Sequence, residues 1–286
     1  MILSTKLSVV LLLSALSQFT YGQNYSVHNK NKSYLSLIGG VNFSLPKITD
    51  RYSVLTSNST RLEKDYDNII ENPGAQFGIR YSFNLTNSIS LVGDVAYQSV
   101  GFKYFTNYSW TDTVNKQEFN REMHHVQKIS YFTVPLQARW EITNGQLKPY
   151  IQGGVSLDFR HQAKKIIHYD NTIDGEETDN ELASSAEVSI KENTRKFNLG
   201  LTGGVGLNYY TKYVTFGLEG NVKYGLFKVI SDENRYSDLN GFALKYLDVF
   251  DQFKMVVLNV QLSVSVPLNN SISTNILRRK KYYKRR

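Results

Sequence analysis

Five histidines, His28, His124, His125, His161 and His168, are the side chains of this 286-residue sequence best suited to proton transfer near neutral pH. His124 and His125 stand together, with Glu122 close by. Imidazole beside carboxylate is the pairing used in general acid–base and nucleophilic catalysis, so His124 and His125, with Asp158 as a further acid, are the candidates for a hydrolase or acyltransferase centre. Neighbouring residues of a strand point to opposite faces, however, so His124 and His125 cannot serve one ligand there. No HExxH, GxSxG or phosphate-cradling glycine loop occurs. Residues 169–192 carry Asp170, Asp174, Glu176, Glu177, Asp179, Glu181, Glu187 and Glu192, hard oxygen ligands of the kind calcium takes, but at no EF-hand spacing. A solvated acidic loop is expected, with neither metal nor cofactor. The chain has no cysteine, which excludes a thiolate metal site, a cysteine nucleophile and a disulfide framework.

Charge directs attention to the ends. Lys and Arg total 33 against 25 Asp and Glu, a formal charge of +8. One unit is Lys6, and seven are Arg278, Arg279, Lys280, Lys281, Lys284, Arg285 and Arg286, so residues 7–277 are neutral. A nucleic-acid-binding domain spreads its cations over a face, and this chain does not; no nucleic acid is expected as partner. The seven terminal cations form a segment suited to anionic lipid or an acidic protein. At the other end, Lys6 precedes an apolar run over 7–16, and Thr20-Tyr21-Gly22 closes the segment before Gln23, with a small residue at the cut. That order describes a secretory leader over 1–22, and the run is too short for a membrane-spanning helix.

Between the ends, alternation of apolar and polar residues is the recurrent pattern. In 255–268, Val256, Leu258, Val260, Leu262, Val264, Val266 and Leu268 share one face, and Asn259, Gln261, Ser263 and Ser265 the other. The same period marks 35–45, 75–85, 89–105, 126–142, 149–167, 197–209 and 214–230, giving eight strands. Short connections at 84–88, 143–146 and 211–213 alternate with long polar ones at 46–73, 111–125, 168–196 and 231–253. All tight turns therefore gather at one end, the asymmetry of a transmembrane barrel with short periplasmic turns and long external loops. The expected fold is all-β: an eight-stranded, antiparallel, up-and-down transmembrane β-barrel over 33–268, preceded by a periplasmic segment 23–32 and followed by a basic periplasmic tail 269–286.

The outward face follows from charge density. Five clear strands offer 30 positions on their polar faces, of which five are charged and seven are glycine. A solvated surface carries about 25–35% charge, so this face suits a crowded interior instead. A secreted soluble barrel binding an apolar ligand, with its apolar face inside, is the competing arrangement. Over all strands the interior would hold Arg80, Asp94, Arg139, Glu141, Asp158, Arg160, Glu219 and Lys223, four cations and four anions able to pair. Phe83, Trp140, Tyr209 and Phe216 sit beside the short turns, and Phe43, Phe77, Phe102, Tyr104, Phe159, Phe197 and Phe227 toward the long loops, as two interfacial aromatic zones.

Residues 131–140 (YFTVPLQARW), the short turn, and 147–156 (LKPYIQGGVS) resemble the central hairpin of PorT-type outer-membrane β-barrel proteins, with an internal proline and a Lys-Pro-Tyr entry to the next strand. Residues 200–207 (GLTGGVGL) and 218–226 (LEGNVKYGL) resemble that family's next hairpin. The resemblance implies an OmpA-like barrel in a Gram-negative outer membrane and, for some members, association with type IX protein secretion. The chain departs from the barrels whose assembly signal is a terminal aromatic, because eighteen residues follow Leu268. A non-enzymatic envelope component is the expected function. Its expected partners are outer-membrane lipid and, through the basic tail, periplasmic or secretion-machinery proteins.

Overall fold

The computed structural model describes residues 33–52, 64–68, 72–112, 114, 116–143, 145–173, 176–177, 185–211, 213–235 and 248–268, and every regular element among them is a β-strand. The expected leader, the segment 23–32 and the basic tail lie outside the described residues. Eight strands form the wall: β1 (Ser33–Asp50), β3 (Gly74–Asn84), β4 (Ile89–Thr111), β5 (Glu118–Glu141), β6 (Leu147–Ile173), β9 (Phe197–Tyr210), β10 (Thr215–Gly225) and β11 (Gln252–Leu268). Three short strands, β2 (Asp65–Tyr66), β7 (Glu176–Glu177) and β8 (Ser185–Ser189), attach to β4 and β6. Each wall strand pairs antiparallel with its predecessor, and β11 pairs with β1, so the ring closes. Closure satisfies the backbone of every wall strand, as hydrocarbon requires.

The register fixes the geometry. Leu35 opposes Tyr81, then in turn Gly93, Leu136, Val155, Leu201, Tyr224, Val256 and finally Leu45, ten residues further along the starting strand. A displacement of ten over eight strands gives a tilt of about 40°, and a line drawn straight across the strands climbs about one and a quarter residues per step.

Side chains sort as the alternation predicts in the lower two-thirds of the barrel. Leu37, Ile79, Val95, Leu136, Val205, Val222 and Leu262 are exposed on the outer wall, while Asn42, Gln76, Arg80, Asp94, Asn259 and Gln261 are buried inside. An apolar exterior is the lipid-facing arrangement, and it removes the soluble, apolar-cored alternative. On the height scale set by the register, Phe83, Trp140, Tyr209 and Phe216 fall within about two residues of one level at the tight-turn end. Phe77, Tyr97 and Phe132, and then Phe159, Phe197 and Phe227, form the upper zone as two runs of rings 5.4–6.3 Å apart, and the zone climbs about five residues around the wall with the register. Trp140 and Phe132 are eight residues apart on β5, about 27 Å along the strand, which suits the ~25 Å apolar band of such barrels once tilt is included.

Three expectations need correction. The connection expected at 111–125 is mostly strand, because β4 and β5 continue as a hairpin to a tip at 112–117, where Lys116 has a positive φ of 55°. Beyond the bilayer neither face of that hairpin must be apolar, so the period-2 signal fades while the ladder persists. Phe102 and Tyr104 belong inside the barrel, at 4% and 3% exposure, rather than to the outer aromatic zone. The strand expected over 214–230 ends at Gly225, and Val229 and Ile230 turn into the mouth, where Ile230 bridges Thr194.

Candidate functional site

The interior is layered, and its membrane-level layer is organised on one carboxylate. Glu219 (β10) accepts from Arg80 (β3) through both Nη atoms at 2.7 Å, from Arg139 (β5) at 3.0 Å, from the Tyr150 hydroxyl (β6) at 2.5 Å and from Asn221 at 2.9 Å. Gln261 on β11 also donates to it. Arg80 in turn grips Asp94 (β4) through Nε at 2.7 Å and Nη2 at 2.8 Å, a bidentate pair of the strong kind. Arg139 also donates to Gln152 and stacks on Tyr150, 4.0 Å from the ring centroid. Six wall strands thus meet at one point. Tyr150 reaches across because Gly206 faces it; a methyl group there would collide with the ring.

Below this hub, Glu141 takes Lys148 at 3.3 Å, the Tyr210 hydroxyl at 2.5 Å and Asn208 at 3.2 Å. Above it, Lys223 pairs with Asp158 at 3.0 Å, and Asn42, Gln76, Gln98, Asn259 and Gln261 form an amide ladder. Seven of the eight expected interior charges, Arg80, Asp94, Arg139, Glu141, Asp158, Glu219 and Lys223, lie in these layers. Arg160 does not. Arg160 keeps the inward parity, opposite buried Tyr131 and just before a β-bulge that leaves His161 unopposed, but it stands at the rim, where it donates to the Thr194 hydroxyl at 2.7 Å and to the Lys191 carbonyl. Lys148, a cation outside the expected set, takes its place in the count. Four cations and four anions remain.

The mouth is built differently. Val100, Phe102, Ile129, Tyr131, Ala163, Ile190, Val229, Ile230, Phe253, Met255 and Val257 pack into an apolar plug across the lumen. Over it lies a second ionic cluster. Lys165, fully buried, contacts Asp248; Lys64 lies 3.4 Å from Asp248 and 3.3 Å from Asp251. Tyr66 and Tyr104 donate to Asp251 and Asp248 at 2.8 and 2.9 Å. His125 stacks on Tyr104, with Nδ1 3.4 Å from Asp248 and Nε2 3.0 Å from the Thr106 hydroxyl. This cluster lies beyond the upper aromatic zone, outside the bilayer. Burial, reinforced by the Lys165 and Lys64 cations, drives His125 down to about 2. Burial likewise holds Lys64 below the usual lysine range, against the pull of Asp251. At the outermost edge, the Lys228 hydrogen bond lowers Asp50, and Asp50 raises Lys228 in return.

Sequence reasoning missed Lys148, Lys165, Lys64, Asp248 and Asp251. The bulge shifts the inward set of β6 from even positions (148–158) to odd ones (163–167), which puts Lys165 inside and hides it from strict alternation. His124, His161 and His168 face outward, away from His125. Among the described residues no cluster of three or more His, Asp or Glu has the spacing of a metal site. The interior cavities lined by Gln76, Lys223 and Asn259 and by Arg139, Glu141 and Tyr210 measure about 40 and 20 Å³, room for single waters.

A closed ring with an apolar exterior and an ion-paired interior matches a known class. The profile of the outer membrane protein beta-barrel domain covers residues 22–231. The chain belongs to this outer-membrane β-barrel family, and its place is the outer membrane. Among solved structures it is similar to OprG of Pseudomonas aeruginosa (13% identity, 84% of this chain and 99% of that one, TM-score 0.36). It is also similar to the N-terminal barrel domain of OprF from the same organism (13%, 82% and 99%, TM-score 0.30) and to Neisserial surface protein A (12%, 83% and 97%, TM-score 0.34). No curated protein matches the chain. These findings identify the outer-membrane barrel family at large rather than its PorT-type branch.

Proposed function

We propose that this outer-membrane barrel is a non-enzymatic component of the cell envelope, structural or partner-binding, and that it does not conduct. One observation carries the reading: the lumen is crossed by the Glu219 network and closed above it by the apolar plug, so the interior is committed to holding the wall together. Long β4–β5 and β5–β6 ladders raise a paired stem above the bilayer, a shape suited to presenting a surface. The basic tail, Arg278–Arg286 in sequence, supplies a separate periplasmic contact for an anionic partner. Association with type IX secretion machinery extends this reading on the hairpin resemblance alone. Crosslinking in intact envelopes tests it: capture of defined envelope proteins, reduced when 278–286 are deleted, is the expected result, and a barrel that captures none argues against a partner-binding role.

A second reading, hydrolysis or acyl transfer at the rim, draws on the proximity of Thr106, His125 and Asp248, although His125 Nδ1 lies 3.4 Å from Asp248 and makes no hydrogen bond to it. All three side chains are buried, and Asp248 itself belongs to the segment 248–253, so a substrate would have to displace that segment. Asp158 sits in another layer, on Lys223. Ester or amide turnover lost on His125→Gln would favour this second reading.

A further inference from the structure

The outer wall carries a ring of lysines. Lys47 (β1), Lys103 (β4), Lys128 (β5), Lys164 (β6) and Lys254 (β11) all point away from the lumen by the parity of their strands, and all retain solvent exposure. On the register height scale they fall within about two residues of one another, ~6 Å, above the aromatics of their strands, about four residues beyond Phe132 on β5 and six beyond Tyr97 on β4. Exposed Lys196, immediately before β9, continues the ring.

Two features of this ring are unfavourable in isolation. Lys47 directly opposes Lys254, and Lys128 directly opposes Lys164, so two like-charge pairs stand in register on opposite sides of the barrel. Directly opposed like charges destabilise a sheet. Glu187 relieves Lys164 at 2.6 Å; among the described residues the other three have no carboxylate at ion-pair distance. Lys47 and Lys254 both lie over the outward Tyr224 ring, 5.6 and 5.7 Å from its centroid, with heads projecting where lipid headgroups begin. An anion between each pair removes the repulsion, and at that height beside an apolar wall the anion must belong to an amphiphile.

We propose that the Lys47–Lys254 and Lys128–Lys164 pairs are clamps for phosphate groups of a phosphorylated lipid in the external leaflet. Its acyl chains lie on the wall below, against Leu258 and Val260 at the first pair and Phe132 and Phe159 at the second, all exposed. Lys103 adds a third cation to the second clamp. The inference rests on the membrane placement of the barrel and is independent of the envelope role proposed above.

The test uses the full-length barrel folded in zwitterionic micelles and titrated with bis-phosphorylated lipid A, the same lipid stripped of phosphate, and inorganic phosphate, with binding read by native mass spectrometry. The wild type should prefer the phosphorylated lipid at least about tenfold, given roughly 1 kcal/mol per cation at an anionic surface. Lys47→Gln with Lys254→Gln, and Lys128→Gln with Lys164→Gln, should each weaken that preference, and all four together should abolish it. Arginine at the same four positions should restore it, which separates charge from folding. Equal binding of the two lipids, a preference that survives the fourfold glutamine variant, or inorganic phosphate bound as tightly as lipid would overturn the proposal. A chain that fails to fold in micelles or insert in vesicles would break the membrane placement instead.

Discussion

Two ionic clusters lie inside this barrel, and they differ in where their charges come from. The membrane-level hub draws every member from a wall strand: Arg80, Asp94, Arg139, Tyr150 and Glu219 are held at the positions that the ladder dictates. The mouth cluster takes Lys64, Asp248 and Asp251 from connections and only Lys165, His125 and Tyr104 from the wall. Strand-borne charges cannot leave without opening the barrel, whereas connection-borne charges leave when their segment lifts. The comparison teaches that the lower cluster belongs to global stability and the upper one to a local, separately openable seal.

The largest expected effect breaks the lower cluster. Arg80→Met leaves Asp94 without its bidentate partner and Glu219 with Arg139 as its one cation beside its neutral donors, and should cost about 3–5 kcal/mol in equilibrium urea unfolding from micelles. A cost below ~1 kcal/mol would mean that the hub is not a unit. In the upper cluster, Asp248→Asn strands Lys165 and Lys64 with a single remaining carboxylate. The expected cost is of comparable scale, about 3 kcal/mol, but confined to the mouth. Proteolysis and hydrogen exchange at 248–253 should rise while the barrel's urea midpoint stays fixed. A fall in that midpoint would merge the two clusters into one cooperative unit.

The sequence made the lower cluster legible and the upper one opaque, for physical reasons. Between the two aromatic zones lipid demands apolar residues outside, so Leu136 and Gln137, or Leu262 and Gln261, announce their faces. Above the bilayer that demand stops. Phe102 and Tyr104 look like outward rings but fill the plug, and the 118–125 strand carries no alternation to read. The bulge at His161 then reverses parity beyond it, which admitted Lys165, while Arg160, still on the inward parity, stands high enough to bond the rim. No local signal marks Asp248 or Asp251, whose partners are distant in sequence.

Acid sharpens the comparison further. The neutral His125 of the folded mouth resists a proton that the unfolded chain accepts below about pH 6.5, so its contribution is complete above that value and declines as pH falls toward about 2. At pH 5 the mouth should have lost about 2 kcal/mol, seen as faster exchange at 248–253, and His125→Gln should flatten the dependence. The smallest effect returns to the hub: Gly206→Ala pushes Tyr150 off Glu219 and should cost about 1–2 kcal/mol in the global unfolding transition, without loosening the mouth.

Single-channel recording of the full-length barrel in planar bilayers tests the sealed interior most directly. The expected trace is a closed baseline for the wild type, with brief openings at most when Asp248→Asn loosens the mouth, because the Glu219 network still crosses the lumen beneath it. A large, steady conductance from the wild-type protein would contradict the account.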